Sequence, residues 1–191
     1  MTISNLRIIA GLSFLISTAV QAGPNLVVNP GFETGTLGPW ATNGGSFFID
    51  STSGDVHTGS FAVSNLSCAF GCNDTLSQVL STTPSGTYNL SFFAFTKNVN
   101  NGNPLVTVSW GGTTVFNQNI PTSNPGLYQQ FSVDGLIAPS GSTTLQFAIA
   151  PAAHLLLDDV SVTSPVPVPP AIWLLGSAVG GLRMLRRRVD S

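Results

Sequence analysis

Charge is scarce in this chain. Of 191 residues, 6 are Lys or Arg and 8 are Asp or Glu, 7% in all, against about a quarter in an ordinary soluble domain. Five of the six bases are terminal: Arg7, Arg183, Arg186, Arg187 and Arg188. Between Gly23 and Pro165, Lys97 stands alone against Glu33, Asp50, Asp55, Asp74, Asp134, Asp158 and Asp159, so this stretch carries −6. A phosphate backbone is repelled by such a surface, which excludes nucleic-acid binding. Cysteine is nearly absent, and Cys68 and Cys72 alone make no zinc site. Between residues 23 and 163 there is also no useful stretch of helical periodicity, which argues against a helix-rich enzyme. What the chain does have is 42% hydrophobic residues, 12 Phe, 20 Gly and 13 Pro. That is enough to bury one core, with many turns around it.

The two ends read as addresses. Residues 1–22 carry one cation, Arg7, then a mostly apolar run from Ile8 to Val20, then Val20-Gln21-Ala22 before Gly23. Small residues at the first and third places before the cut suit signal peptidase, so cleavage is expected between Ala22 and Gly23. At the other end, 165–170 includes Val166-Pro167-Val168-Pro169-Pro170, which can form neither a helix nor a central strand. An apolar helix is expected over 171–185, with Trp173 near its outer boundary, followed by a basic tail at 186–191 holding Arg186, Arg187 and Arg188. Cations stay on the cytoplasmic side, which puts the preceding domain outside. The apolar stretch is short for a lasting anchor.

Proline motif, Trp-bearing apolar helix and terminal arginines in this order resemble the PEP-CTERM sorting signal of Gram-negative bacteria that make extracellular polysaccharide. Val168 stands where the commonest form has Glu, as in a V-P-x-P variant. The resemblance implies a membrane-embedded exosortase that cuts at the proline motif and releases the protein or re-attaches it outside. A glycolipid-anchor tail normally ends in apolar residues rather than arginines, and an ordinary C-terminal anchor is the remaining alternative. In an exported chain, a disulfide between Cys68 and Cys72 is expected, closing a small loop.

The body, residues 23–164, reads as all-β. Short alternating segments separated by Gly, Pro, Asn and Ser recur at the spacing of a sandwich or barrel. Strands are expected at 26–28, 46–50, 60–65, 75–80, 87–96, 105–110 and 113–116, then around Phe131 and Val133, around Leu145, Phe147 and Ile149, and around Val160 and Val162. Gly111-Gly112 marks a hairpin, since paired glycines accept the positive φ of its tight turn. Asn25-Leu26-Val27-Val28-Asn29-Pro30-Gly31-Phe32-Glu33, Trp40, His57-Thr58-Gly59-Ser60-Phe61 and Leu157-Asp158-Asp159-Val160 resemble galactose-binding-like jelly rolls of the carbohydrate-binding type. The resemblance implies a β-sandwich in which the first and last strands are neighbours and 75–80 and 88–92 form a middle pair.

Period two puts Leu156, Asp158, Val160 and Val162 on one face, which turns Asp158 inward with Lys97 as its only candidate cationic partner. A bound cation is the alternative, because an unpaired buried carboxylate is costly. The jelly-roll resemblance implies a structural Ca²⁺ held by Glu33, Asp158 and Asp159 with carbonyls near His57, for which hard oxygen ligands are suited. The competing reading leaves the two aspartates at a solvent-facing strand end and Glu33 accepting turn amides. For sugar binding, Trp110 beside the hairpin turn and Tyr128 are the chosen aromatic platforms. Catalysis has no supporting motif: there is no G-x-S-x-G, and a triad needs His57 or His154 with an unmarked Ser. The expectation is a non-catalytic surface or matrix protein that binds exopolysaccharide or another envelope glycan, with a ligand-free matrix protein or a hydrolase as alternatives.

Overall fold

Ten strands form in the computed structural model, which describes residues 23–44, 47–66, 74–97, 103–121, 127–150 and 154–165. The leader, Cys68 and Cys72, and the sorting residues Val166, Pro167, Val168, Pro169, Trp173, Arg186, Arg187 and Arg188 lie outside the described residues. The strands are β1 (Ala41–Asn43), β2 (Phe47–Asp50), β3 (Ala62–Asn65), β4 (Asp74–Ser81), β5 (Thr87–Lys97), β6 (Leu105–Trp110), β7 (Thr113–Asn119), β8 (Gln129–Ile137), β9 (Ser142–Ile149) and β10 (His154–Thr163). They make two antiparallel sheets, β1-β4-β9-β6-β7 and β2-β3-β10-β5-β8.

Alternation decides what lies between the sheets. Tyr88, Leu90, Phe92 and Ala94 of β5 face Val106, Val108 and Trp110 of β6 and Leu145, Phe147 and Ile149 of β9 in one core. Phe92 ties the layers together, meeting Phe147 edge-on at 5.2 Å and Phe116 at 5.4 Å. The β6–β7 hairpin turns at Gly111 and Gly112, both at positive φ (57° and 85°), as their sequence requires.

Two expectations are corrected. β4 and β5 do not pair: the 82–86 connection crosses from one sheet to the other, so β4 bonds to β1 and β9 while β5 bonds to β10 and β8. No strand forms at 26–28, although this segment does run beside β10. Pro24 and Pro30 lack donors, and Asn29 turns the chain with φ 54°. The segment is instead a strap. Gly23 N–H donates to Ser164 O, Leu26 N–H to Val162 O, and Val160 N–H to Pro30 O. The Asn25 amide bonds both Val160 O and Val162 N–H. Toward the other sheet, Gln78 accepts from Val28 N–H at 2.8 Å and donates to Val28 O at 2.9 Å. One buried side chain thus fastens the strap to β4, and Gln78→Ala is expected to cost about 2 kcal/mol in urea unfolding. An unchanged midpoint would show that Val27, packed in the core, holds the strap without it. β1 was not foreseen, since its three residues are all exposed and carry no apolar period.

Candidate functional site

The outer surface of the second sheet collects charges that the sequence scatters over more than a hundred positions. In β5, Phe93, Phe95 and Lys97 alternate with the core residues and face outward. β10 changes faces partway along. Leu155 and Leu157 join the core, the register then shifts between Asp158 and Ser161, Asp159 takes φ 48°, and Val160 and Val162 return to the core. This bulge, with its one extra residue, corrects the expectation that Leu156, Asp158, Val160 and Val162 share a face. Asp158 lies on the outer side of the sheet, not between the layers. It is nevertheless fully buried, because the 51–60 loop folds over it.

Asp158, Asp159 and Glu33, which the jelly-roll resemblance singled out, each bond separate groups of residues 57–61 at the end of that loop. Asp158 Oδ2 accepts from His57 N–H at 3.0 Å and Thr58 N–H at 3.3 Å, and its Oδ1 from Asp159 N–H at 2.7 Å. Burial, with the neighbouring Asp159 charge behind it, pushes the Asp158 carboxyl up to about 6 against the pull of those amides. Asp159 Oδ2 sits 2.6 Å from His57 Nδ1, and Thr58 Oγ1 donates to both Asp159 oxygens at 2.9 Å. Glu33 accepts from Ser60 N–H and Phe61 N–H at 3.0 Å, so its role as acceptor of turn amides is realised. The chain passes close here because of two glycines. A Cβ on Gly59, at φ 72°, would lie 2.4 Å from the Glu33 carboxyl, and one on Gly31 would lie 3.2 Å from Asp159 Oδ1. Lys97 does not answer Asp158. It pairs with Asp55, which is 1% exposed. Among the described residues, no group of three or more His, Cys, Asp or Glu side chains converges as a metal site.

Beside this cluster runs a strip of rings and polar groups. His57 stacks on Phe93 at 3.9 Å and 19°. Tyr128 packs edge-on against Phe95 at 4.7 Å and tilts toward His57 at 5.1 Å, while its hydroxyl donates to Asp55 O at 2.6 Å. Burial raises the Tyr128 phenol, and the Asp158, Asp55, Asp50 and Asp159 charges add to the rise, so the group stays a neutral donor. His154, opposite Lys97 in the ladder, holds Ser64 Oγ with Nε2 and tilts toward the Phe48 ring at 6.2 Å. Burial first and Lys97 second lower its pKa, outweighing Asp50 and Asp55. Phe48, His154, Lys97 and Tyr128, each partly exposed, thus edge a surface above the carboxylates of Asp50 and Asp55.

Trp110 is not an exposed platform. It is 3% exposed, continues the core period of Val106 and Val108, lies tilted against Tyr88 with ring centroids 5.7 Å apart, and donates its indole N–H to Ile137 O at 3.0 Å. Its position beside the turn hid the fact that it shares their parity. Tyr128 does lie on the charged face, though its hydroxyl is spent on Asp55. The Ser64–His154 pair supplies the hydroxyl–imidazole contact that a triad needs, but Ser64 has no exposed surface, so no substrate reaches it. The sequence reading met His154 only as a triad candidate and gave Asp50 and Asp55 no place in a binding face, and only the parity of Phe48 with Asp50 along β2 could have pointed to this face.

Two five-stranded antiparallel sheets closing over one core, with the first segment laced to the last strand, make a jelly-roll β-sandwich. TmCBM61 in complex with β-1,4-galactotriose is similar, with a TM-score of 0.60 and 21% identity over 74% of this chain and 99% of that one. The CBM22-1 xylan-binding domain of Xyn10C from Paenibacillus barcinonensis matches with a TM-score of 0.53 and 18% identity over 78% and 100% of the two chains. A cleaved adhesin domain of Lys-gingipain from Porphyromonas gingivalis matches with 0.55 and 17% over 71% and 96%. Scans against protein-family models and against curated proteins match nothing.

Proposed function

We propose that this chain is an exported, non-catalytic bacterial surface or matrix protein that binds exopolysaccharide or another envelope glycan through the outer face of its second sheet. The observation that carries this reading is the strip from Phe48 through His154 and Lys97 to Tyr128. It sets rings for pyranose faces beside an ammonium for hydroxyl groups, held in place by the buried carboxylate of Asp55. The carbohydrate-binding kind of its fold neighbours supports the glycan assignment. Phe48 contributes a ring without belonging to the core, so Phe48→Ala is expected to weaken oligosaccharide binding about tenfold, the worth of one stacking contact, with the melting temperature nearly unchanged. Equal affinity in calorimetric titration would remove the strip from the site.

Export and maturation belong to the same proposal. Signal peptidase cuts between Ala22 and Gly23, and an exosortase acts at Val166-Pro167-Val168-Pro169, discarding Trp173 and Arg186 to Arg188. The intact mass of protein from wild-type and exosortase-deleted cells tests this. The arginine tail is lost only where the enzyme is present, and its retention in both contradicts the assignment.

A structural Ca²⁺ suits the carboxylates beneath the 51–60 loop. Asp158 is buried beside Asp159 with no Lys or Arg against it among the described residues, and a calcium shell draws its six to eight oxygens from carbonyls and waters as well as carboxylates. Glu33, Asp158 and Asp159 would hold the ion, and it would supply positive charge joining the first segment to β10.

A further inference from the structure

The face that holds the strip is electrically lopsided. On this side of the second sheet Asp50, Asp55, Asp158 and Asp159 stand against Lys97. Resting on the glycan-binding reading above, we infer that the strip turns away glycans built of uronic acids and favours one that carries free amino groups.

The positive charge is already engaged. Lys97 pairs with Asp55, and there is no arginine between residues 23 and 165, so the forked donor that clamps a carboxylate with two parallel bonds is missing. His154 adds no charge, because burial and then Lys97 lower its pKa and leave the imidazole neutral at pH 7. The carboxylates, by contrast, are felt along the strip. All four add to the rise that burial starts in the Tyr128 phenol, and Asp50 and Asp55 both pull the His154 pKa upward against its burial. Asp50, Asp55 and Asp158 are nearly out of water, at 7%, 1% and 0% exposure, where charges are screened least.

The rest of the body carries the same sign. Asp134 is exposed on β8, Asp74 is buried against the Asn65 amide, and Glu33 holds the amides of Ser60 and Phe61. Lys97 is the only base of residues 23–165, so none remains to answer them. Calcium at Glu33, Asp158 and Asp159 would bring two positive charges to three carboxylates and leave Asp50 and Asp55 against Lys97, which does not reverse the sign. A uronate therefore meets repulsion at the strip and no cation free to receive it. An ammonium meets attraction, from the carboxylates and from the ring faces beside them.

Three β-1,4-linked hexasaccharides, of glucosamine, N-acetylglucosamine and mannuronate, read the preference by calorimetric titration of the exported protein at slightly acidic pH, where the glucosamine amines are protonated. The glucosamine chain is expected to bind about tenfold tighter than its acetylated twin, the worth of one attractive charge, and the mannuronate chain not measurably. In about 0.5 M salt, where the screening length falls to roughly 4 Å, that gap is expected to close. Asp50→Asn, which keeps the oxygen that accepts from Thr52 N–H, is expected to narrow it. Mannuronate bound as tightly as the acetylated chain, or glucosamine bound no tighter than it, overturns the selection and leaves glycan binding intact. So does a glucosamine preference that survives Phe48→Ala, which belongs to the acidic body at large and not to the strip. If none of the three binds while another glycan does, the selection falls; if no glycan binds, the reading beneath it falls as well.

Discussion

Replacing Trp110 by alanine is expected to cost about 3–5 kcal/mol of folding stability, the usual penalty for emptying a large buried aromatic site. The indole fills the end of the core between β6 and β9, touches Tyr88, and uses its N–H on the carbonyl of Ile137. Its removal leaves both a cavity and an unanswered carbonyl beside the 138–141 turn. Urea unfolding measures the loss directly. A glycan-stacking Trp gives the opposite pattern, with a small change in stability and a large loss of affinity, so the same variant discriminates between a core and a ligand role. Trp110→Phe is expected to recover most of the stability and to lack only the hydrogen bond.

Acidification between pH 7 and pH 4 is expected to stabilise the calcium-free domain relative to its Asp158→Asn variant, a comparison in which the opposing loss from His154, whose pKa is lowered by burial and Lys97, is common to both. Asp158 has its folded pKa raised from 3.8 to about 6 by burial and by Asp159. The folded state therefore binds its proton more tightly than the unfolded chain does. In this window the native protein holds more protons than the denatured one, so stability falls as pH rises from about 4 to about 6 and is level above. A shift of about two pK units corresponds to about 3 kcal/mol, a cost present in full at pH 7. Thermal melts in chelator should therefore gain on those of Asp158→Asn as the pH drops through 6. Millimolar Ca²⁺ should raise the melting temperature at pH 7 and flatten the slope, because a cation against Asp158 offsets the same cost. A melting temperature indifferent to both chelator and calcium would remove Glu33, Asp158 and Asp159 as ligands.

Much of the sandwich was legible because one face of each strand is apolar. The alternation at Tyr88, Leu90, Phe92 and Ala94 and at Leu145, Phe147 and Ile149 survives intact in the core, and Gly111-Gly112 named its turn. What failed has common causes. A bulge is one residue long, and nothing in Leu157-Asp158-Asp159-Val160 announces that Asp159 will adopt positive φ and reverse the parity. Which sheet a strand joins depends on its crossover, and 82–86 reads the same whether it reverses a hairpin or bridges two layers. The charged face was hidden for another reason: the 51–60 loop has no period, yet it places Asp55 on Lys97 and His57 on Phe93. That one stretch, 57–61, would bond Glu33 as well as Asp158 and Asp159 could not be read from local pattern, because Glu33 and Asp158 lie 125 positions apart.

The central claim is that the folded domain holds a glycan without cutting it. Affinity electrophoresis of the exported protein through gels containing β-1,4-galactan, xylan or the polysaccharide of its own cells tests that claim most directly. The account predicts retardation in at least one of these gels, with the polysaccharide recovered at its original length. Unretarded migration in all of them would leave a matrix protein without a ligand, and shortened polysaccharide would reveal a hydrolase.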